Sequence, residues 1–418
     1  MKLSIFTPTH NPTYLLALAY SLEGQDYDEW CIVVNSGVTT EDIRNLLSEK
    51  WDDRWRVIAY PEDVPTKIGA IKNFAASSCT GDILMEVDHD DLLLPQACSM
   101  VKDIFAQRPE VGFLSSDCGH FMFTKGPKHN GKAISPPKYD VKFGWEYETV
   151  ATDFGTFDVP LTPPICPTSV TRIWYAPDHL RAWRATTYRE LGGHNPEFEI
   201  LDDQELVMRT YLHTIMAQIR KPLYLYRRHT DQTFSESNMN AIIQTRTLEL
   251  YHQYIERCQL RWCELNGLKV VDLGSGKVPR EGYEGWDIET DVDLNQTWPA
   301  KESGVGCFLA NDIFEHLHDR MFTIRELYRC LAHGGVVFSQ TPNAMTQAGW
   351  ADPTHVSAWV PETFRYFTDT ERAKWIGTPV RFQELYRSWD DPSNTFGWTY
   401  WHALALKEGT RPPGLISI

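Results

Sequence analysis

The sequence predicts an α/β protein built as two doubly wound domains, and three observations carry that expectation. At 418 residues the chain exceeds what one ordinary hydrophobic core organises. Its first 90 residues alternate short apolar strands with helical stretches, and a second strand-turn series restarts at Leu268. Leu3–Thr7 reads as a strand ending at Pro8, residues 13–23 as a helix, Cys31–Val34 as a strand and residues 40–49 as a helix. Arg56–Tyr60 reads as a third strand, Ile68–Ser78 as a helix, and Asp82–Val87 as a strand running into Asp88. Parallel sheets of this kind gather ligands at the carboxyl ends of their strands, where Thr7-Pro8-Thr9, Asn35-Ser36-Gly37 and Asp88-His89-Asp90 fall.

Residues 120–180 break the rhythm with prolines, glycines and aromatics (Trp145, Tyr147, Trp174, Tyr175) and read as an irregular acceptor-side region. Helical spacing returns over 240–262, so the expected organisation is a domain over 1–235, a connecting helix over 236–265 and a second domain over 266–418.

Composition narrows the function classes. Lys and Arg number 40 against 56 Asp and Glu, a formal net charge of -16 without a basic stripe. That balance argues against strong nucleic-acid binding through phosphates, though a local pocket can still hold a small anion. The nine cysteines are scattered without a CxxC pair, as expected of reduced, buried thiols. No run reaches the ~18 apolar residues of a transmembrane segment. Pro8 follows Met1 too closely for a signal peptide. The expected location is cytoplasmic, including the cytoplasmic face of a membrane.

Met85-Glu86-Val87-Asp88-His89-Asp90-Asp91 sets an acidic cluster at the end of the fourth strand. Such a cluster can hold Mn²⁺ or Mg²⁺ through one or two carboxylates plus phosphate oxygens. An Asp-x-Asp alone is also a common solvated turn; its place in an α/β series gives it weight.

Residues 1 to about 235 resemble glycosyltransferase family 2, through five segments in order. These are Ser4-Ile5-Phe6-Thr7-Pro8-Thr9-His10-Asn11, then Ile68-Gly69-Ala70-Ile71-Lys72-Asn73, then Gly81 through Asp91. Leu191-Gly192-Gly193-His194 with Leu201-Asp202-Asp203-Gln204-Glu205-Leu206, and Leu223 through His229, complete the set. The resemblance implies an inverting enzyme of the GT-A (nucleotide-diphospho-sugar transferase) fold. It implies a nucleotide-sugar site at Thr7, Pro8, Thr9, Asn35, Lys72, Asp88, His89, Asp90 and Asp202. Thr9 would sit by the nucleobase and Asp88 by the ribose. Asp90 and His229 would ligate the metal, and Asp203 would be the general base that takes the acceptor hydroxyl's proton. A helix N-terminus explains Asp202-Asp203 equally well and is compatible with that role. Lys72 replaces the family's usual Arg, and Asn35 its usual Asp, which loosens the preference for UDP over GDP or dTDP.

Val270-Val271-Asp272-Leu273-Gly274-Ser275-Gly276, then Trp286-Asp287-Ile288, form a strand, a glycine turn and an acid at the next strand's end. With Asn311-Asp312 and Leu331 through Phe338, they resemble class I S-adenosylmethionine-dependent methyltransferases over about 266–370. The resemblance implies S-adenosyl-L-methionine at Asp272, Gly274, Gly276, Asp287, Asp293, Leu294, Asn311 and Asp312, and a Rossmann-like fold. His316 and His355 are candidate bases or structural histidines. Against it, Gly276 is followed by Lys277-Val278-Pro279 without a helix signal. The expectation is a bifunctional protein: an inverting, metal-dependent transferase acting on a glycan or lipid-linked glycan acceptor, with a domain that methylates the product. The alternatives are a non-catalytic methyltransferase-like domain, or transfer onto modified nucleobases in DNA.

Overall fold

The computed structural model describes residues 1–123, 133–135, 146–152, 155–229, 239–391 and 393–407. Trp145, the boundary residues 230–238 and the tail from 408 lie outside the described residues. The described chain forms two compact units, one spanning 1–254 and the other beginning at Ile255.

Unit 1 opens with β1 (Leu3–Thr9), α1 (Leu15–Ser21), β2 (Glu29–Val34), α2 (Thr40–Leu46), β3 (Trp55–Ala59), α3 (Ile68–Ser77) and β4 (Ile83–Glu86). It continues through β5 (Leu92–Leu93), α4 (Ala97–Gln107), β6 (Val111–Phe123), β7 (Ala133–Ile134), β8 (Tyr147–Thr152) and β9 (Gly155–Pro160). Next come α5 (Pro167–Arg172), β10 (Arg181–Arg184), α6 (Ala185–Glu190), α7 (Asp202–His213), β11 (Ile215–Arg227) and α8 (Met239–Asn266). The strand order is β3-β2-β1-β4-β10-β6-β11-β5. The first four strands are parallel, as their rhythm predicts. β10 then enters antiparallel to both β4 and β6, so the sheet is mixed rather than doubly wound throughout. The irregular 120–180 stretch is what delivers this reversal: the chain leaves β6, returns through the β8–β9 hairpin and α5, and re-enters the sheet centre as β10.

β2 is buried along its whole length, as expected of a parallel strand covered on both faces. Its one acid, Glu29, survives there because it is fully satisfied. Ser4 Oγ donates to its carboxylate at 2.5 Å, Thr80 N–H at 2.8 Å, and Arg56 pairs with it. Gly81 makes this possible, since a Cβ there would meet Ser4 Oγ at 2.6 Å and Ser4 N at 2.8 Å.

Unit 2 contains β12 (Lys269–Leu273), β13 (Glu284–Trp286), β14 (Val305–Asn311), α9 (Arg320–Cys330) and β15 (Leu331–Pro342). It closes with α10 (Ala348–Ala351), α11 (Pro361–Thr368), α12 (Thr370–Trp375), β16 (Phe382–Trp389) and β17 (Trp398–Ala405). Strand order is β13-β12-β14-β15-β17-β16, with the first four parallel and β17 antiparallel to both its neighbours. Residues 382–405, without an assigned role in the sequence, are thus the sheet's antiparallel edge. The described residues contain no helix between β12 and β13, which departs from a doubly wound pattern. The core is aromatic: Phe364 stacks on Trp401 at 4.6 Å and on Trp359 at 5.3 Å.

Burial alone would push the Glu29 carboxyl up, but the Ser4, Thr80 and Arg56 bonds outweigh it and hold it at about 2, against an ordinary 4.5. A depressed folded-state value stabilises above the unfolded pKa, and that stability disappears as pH falls from 4.5 toward 2. After screening through the exposed Arg56 it amounts to about 2 kcal/mol. Glu29→Gln is expected to remove that pH dependence and to lower stability at pH 7 by a similar amount, read by urea unfolding across pH.

Candidate functional site

Three of the four parallel strands of unit 1, β1, β2 and β4, end along a cleft of about 590 Å³. That volume suits a ligand of nucleotide size. Pro8 comes from the end of β1, Asn35 and Ser36 from the end of β2, and Asp88, His89 and Asp90 from the end of β4. α7 contributes Asp202 and Asp203 from its first turn, where its dipole favours acids. His229 follows β11.

Local bonds hold this constellation. Asp91, the last acid of the cluster, turns inward and is fully buried. It accepts from Tyr224 Oη at 2.7 Å and from Arg227 N–H at 2.7 Å, while Asp88 N–H donates to the same Tyr224 oxygen at 3.1 Å. The β4 turn is thereby latched onto β11, and His229 is brought to Asp90, with Nε2 and Oδ2 2.8 Å apart. Two further segments grip each other. Asn73 donates from Nδ2 to Gly192 O at 2.8 Å and to His194 O at 2.6 Å. A Cβ on Gly69 would strike Asn195 O at 2.1 Å, so only glycine lets α3 lie against that loop.

Beneath the cleft lies a buried charge network. Lys72 is buried, with Nζ 2.6 Å from Glu86 Oε1 and 3.6 Å from Asp202 Oδ2. His194 Nε2 stands 3.7 Å from both carboxylates. Burial alone would lower the Lys72 ammonium, but Asp202 and Glu86 hold it well above its ordinary value, so it remains charged. Burial pushes the Asp202 carboxyl up, against Lys72. Burial also works on Asp203, yet Arg181, which pairs with it, and Lys72 bring it below the ordinary range. Two adjacent acids therefore differ: Asp203 is the readily ionised one, and it is the more exposed, at 22% against 5% for the side chains. Asp90 is likewise held low, with the His229 bond and His89 overcoming burial.

Of the residues expected at the nucleotide-sugar site, Pro8, Asn35, Lys72, Asp88, His89, Asp90 and Asp202 line the cleft, as do Asp203 and His229. Two of the expected residues lie within the sheet. Thr7 spends its hydroxyl on Trp30, accepting from Nε1 at 2.9 Å, and is fully buried in the sheet. Thr9 is also buried and is not among the residues lining the cleft, while its Oγ1 has no hydrogen-bond partner among the described residues. Strand alternation explains the pattern, since Pro8 faces the opposite way to its neighbours. Lys72 lines the cleft but its ammonium is committed to Glu86 and Asp202 rather than offered to a phosphate.

The cleft also takes His120, Asp178, His179, Arg181 and Tyr226, which motif reading missed. His179 is buried, stacks on Tyr224 at 5.0 Å, and has Nε2 3.9 Å from Asp88 Oδ2. The available signal was charge inside apolar runs: Glu86 after Ile83-Leu84-Met85, and Arg181 between Leu180 and Ala182.

In unit 2 the expected cofactor residues have structural work. Gly276 N–H donates to Asp287 Oδ2 at 3.0 Å, and Glu289 N–H to its Oδ1 at 2.9 Å. Asp272 accepts from Arg280 N–H at 3.0 Å, and Asp293 from Asn295 N–H at 2.9 Å. Gly274 and Gly276 adopt left-handed φ of 70° and 58°. Leu294 is buried in the hydrophobic core of unit 2. Asn311 and Asp312 are exposed at the end of β14, with Asp312 accepting from Trp398 Nε1 at 2.9 Å.

Unit 1 thus presents a strand-end cleft lined by an acidic cluster, a latched histidine and an acid at a helix start. Residues 4–157, within unit 1, match the family described as glycosyl transferase family 2. The chain is 26% identical over 213 residues to the O-antigen biosynthesis protein RfbC of Myxococcus xanthus. That match covers 50% of this chain and only 16% of the relative's length. Among solved structures, TarS 1–349 of S. aureus in complex with UDP-GlcNAc is 18% identical with a TM-score of 0.42, covering 62% of this chain and 72% of that one. The mannosyltransferase PcManGT of Pyrobaculum calidifontis, in complex with GDP-Man and Mn²⁺, is 17% identical with a TM-score of 0.38, covering 60% and 62%. Superpositions this loose carry no residue roles across.

Removing the Lys72 charge strands two buried carboxylates and a histidine. Lys72→Met is expected to cost about 3–5 kcal/mol, the range for breaking a buried pair. Guanidinium unfolding of the full chain measures it, and a loss below 1 kcal/mol would mean the network reorganises freely.

Proposed function

We propose that unit 1 transfers a sugar from a nucleoside-diphosphate sugar to a hydroxyl acceptor with inversion at the anomeric carbon. The observation that carries this reading is Asp203, an ionised carboxylate facing the same cleft as Asp88, His89 and Asp90. In this reading Asp203 takes the acceptor proton as the hydroxyl oxygen attacks the anomeric carbon. Arg181 fixes the carboxylate's position and keeps it charged. Asp88 and Asn35 bind the nucleoside portion. Asp90 Oδ2 and His229 Nε2, 2.8 Å apart in the cleft, fit adjacent positions around one Mn²⁺ or Mg²⁺ ion. Such an ion would supply positive charge for the departing diphosphate. UDP is favoured over GDP or dTDP, and the acceptor is a glycan or lipid-linked glycan of the O-antigen kind, met at the cytoplasmic membrane face. No described helix is long and apolar enough to cross a membrane.

A panel of nucleotide sugars assayed for transfer and donor hydrolysis tests the reading. Asp203→Asn is expected to lower turnover by about 10²–10⁴ while nucleotide binding persists. Asp90→Asn is expected to abolish turnover, and chelator to abolish that of the unsubstituted chain. Product of retained anomeric configuration by proton NMR, or near-native turnover in Asp203→Asn, would overturn it.

For unit 2 we propose S-adenosylmethionine binding at the glycine turn, with methylation of the glycan product as its role. The supporting observation is Asp287, whose carboxylate stands at the end of β13 against the Gly276 amide. Charge-assisted bonds to ribose hydroxyls of about 1.5–3 kcal/mol make Asp287→Ala expected to weaken binding roughly ten- to a hundredfold, by calorimetry. No heat at millimolar S-adenosylmethionine would leave unit 2 a non-catalytic domain.

A further inference from the structure

Where β14 ends, the chain makes one 3₁₀ turn, Phe314–His316, that drives Glu315 into the interior. One carboxylate oxygen, Oε2, accepts from Thr341 Oγ1 of β15 at 2.9 Å. The other, Oε1, is buried and has no hydrogen-bond partner among the described residues. A buried carboxylate oxygen in that state is costly unless something positive meets it. The Glu315 carbonyl meanwhile accepts from Val356 N–H at 2.8 Å and Ser357 N–H at 3.0 Å, which ties the 352–357 segment beside it and brings His355 to His316. Their rings lie edge to face, 5.0 Å between centroids.

The two histidines are oriented as ligands. His355 Nδ1 lies 3.3 Å from Gly349 O, and a carbonyl can only accept, so that contact puts the proton on Nδ1. His316 Nδ1 lies 3.3 Å from Thr354 O and from Thr354 Oγ1. The Thr354 hydroxyl gives its own proton to Asp352 at 2.6 Å, so it too can only accept from His316. Both rings therefore keep their lone pair on Nε2, the arrangement in which an outer carbonyl fixes a metal-binding histidine. Ligand atoms of Glu315, His316 and His355 all fall within 4.8 Å of one another. Both histidines are half-buried and open to solvent on one side.

We propose that Glu315, His316 and His355 form a divalent transition-metal site in unit 2, separate from the Asp90–His229 pair. Two neutral imidazoles and one carboxylate give an N₂O donor set of charge −1, suited to Zn²⁺, Co²⁺, Mn²⁺ or Fe²⁺. The ion supplies the partner that Glu315 Oε1 lacks, and it leaves coordination positions facing solvent at the carboxyl end of the parallel strands, where such sheets bind ligands. A hydroxyl-bearing ligand, such as an adjacent pair of sugar hydroxyls, fits those positions. The site does not depend on the transferase reading of unit 1 or on S-adenosylmethionine.

Co²⁺ is the probe, added to the full-length chain carrying Asp90→Asn so that the unit 1 pair contributes nothing. One equivalent is expected to bind with visible ligand-field bands. His316→Ala and His355→Ala are each expected to weaken that binding at least about tenfold, and Glu315→Gln to do the same while keeping the side-chain volume. His355→Gln serves where the alanine variant fails to fold, its fold checked by circular dichroism without metal. The absence of ligand-field bands at millimolar Co²⁺ would mean that Glu315 is simply a protonated buried acid. Bands unchanged in the His316→Ala, His355→Ala double variant would mean the ion sits elsewhere. Either result overturns the proposal.

Discussion

The cleft of unit 1 depends on one buried cation. Lys72 brings α3 against Glu86 at the end of β4 and Asp202 at the start of α7, three elements far apart in the chain. Without a positive charge between them, two carboxylates and a histidine could not share a water-free space, because each lost hydration with nothing to replace it. Arg181 repeats the arrangement one strand away, entering through β10 to pair with Asp203. The antiparallel insertion of β10 is therefore what allows a cleft crowded with acids to exist in a chain of net charge -16.

The same network sorts those acids. Asp202 and Asp203 are neighbours on one helix turn, yet burial raises the first while Arg181 and Lys72 lower the second. Asp90 and Asp91 separate in the same way. Asp91 is sunk beneath the cleft, its bonds spent on Tyr224 and Arg227, whereas Asp90 stays at the surface of the cleft beside His229. The run Asp88-His89-Asp90-Asp91 thus divides into one buried anchor, Asp91, and three residues that line the cleft.

Unit 2 reaches a related sheet by different means. Its core is organised by stacked aromatics, Trp359, Phe364 and Trp401, rather than by buried ion pairs. β17 carries Trp401 and lies against β15, so the late Trp- and Tyr-rich segment is part of the core. The carboxyl end of its sheet carries the Gly276–Asp287 turn and the Glu315–His316–His355 cluster.

Much of this was legible in the sequence. The parallel half of the unit 1 sheet followed from apolar runs separated by helical stretches, because a strand buried on both faces must be apolar nearly throughout. The strand-end residues Pro8, Asn35, Asp88, His89 and Asp90 followed from the same periodicity, as did the acids opening α7. What periodicity could not supply was direction and partnership. β10 carries no local sign of running antiparallel, because strand direction depends on where the preceding loop returns the chain. Thr7 and Thr9 look as available as Pro8 until the pleat turns them inward. Nothing local in the sequence shows that Lys72 sits beside Glu86 and Asp202. The sequence by itself determined which segments could be strands and helices, and which strand ends carried chemistry, since both depend on nearest neighbours. Which charges meet, which acid is ionised and which side chains share the cleft were decided by the tertiary structure, because electrostatic energies depend on distances between residues the chain keeps far apart.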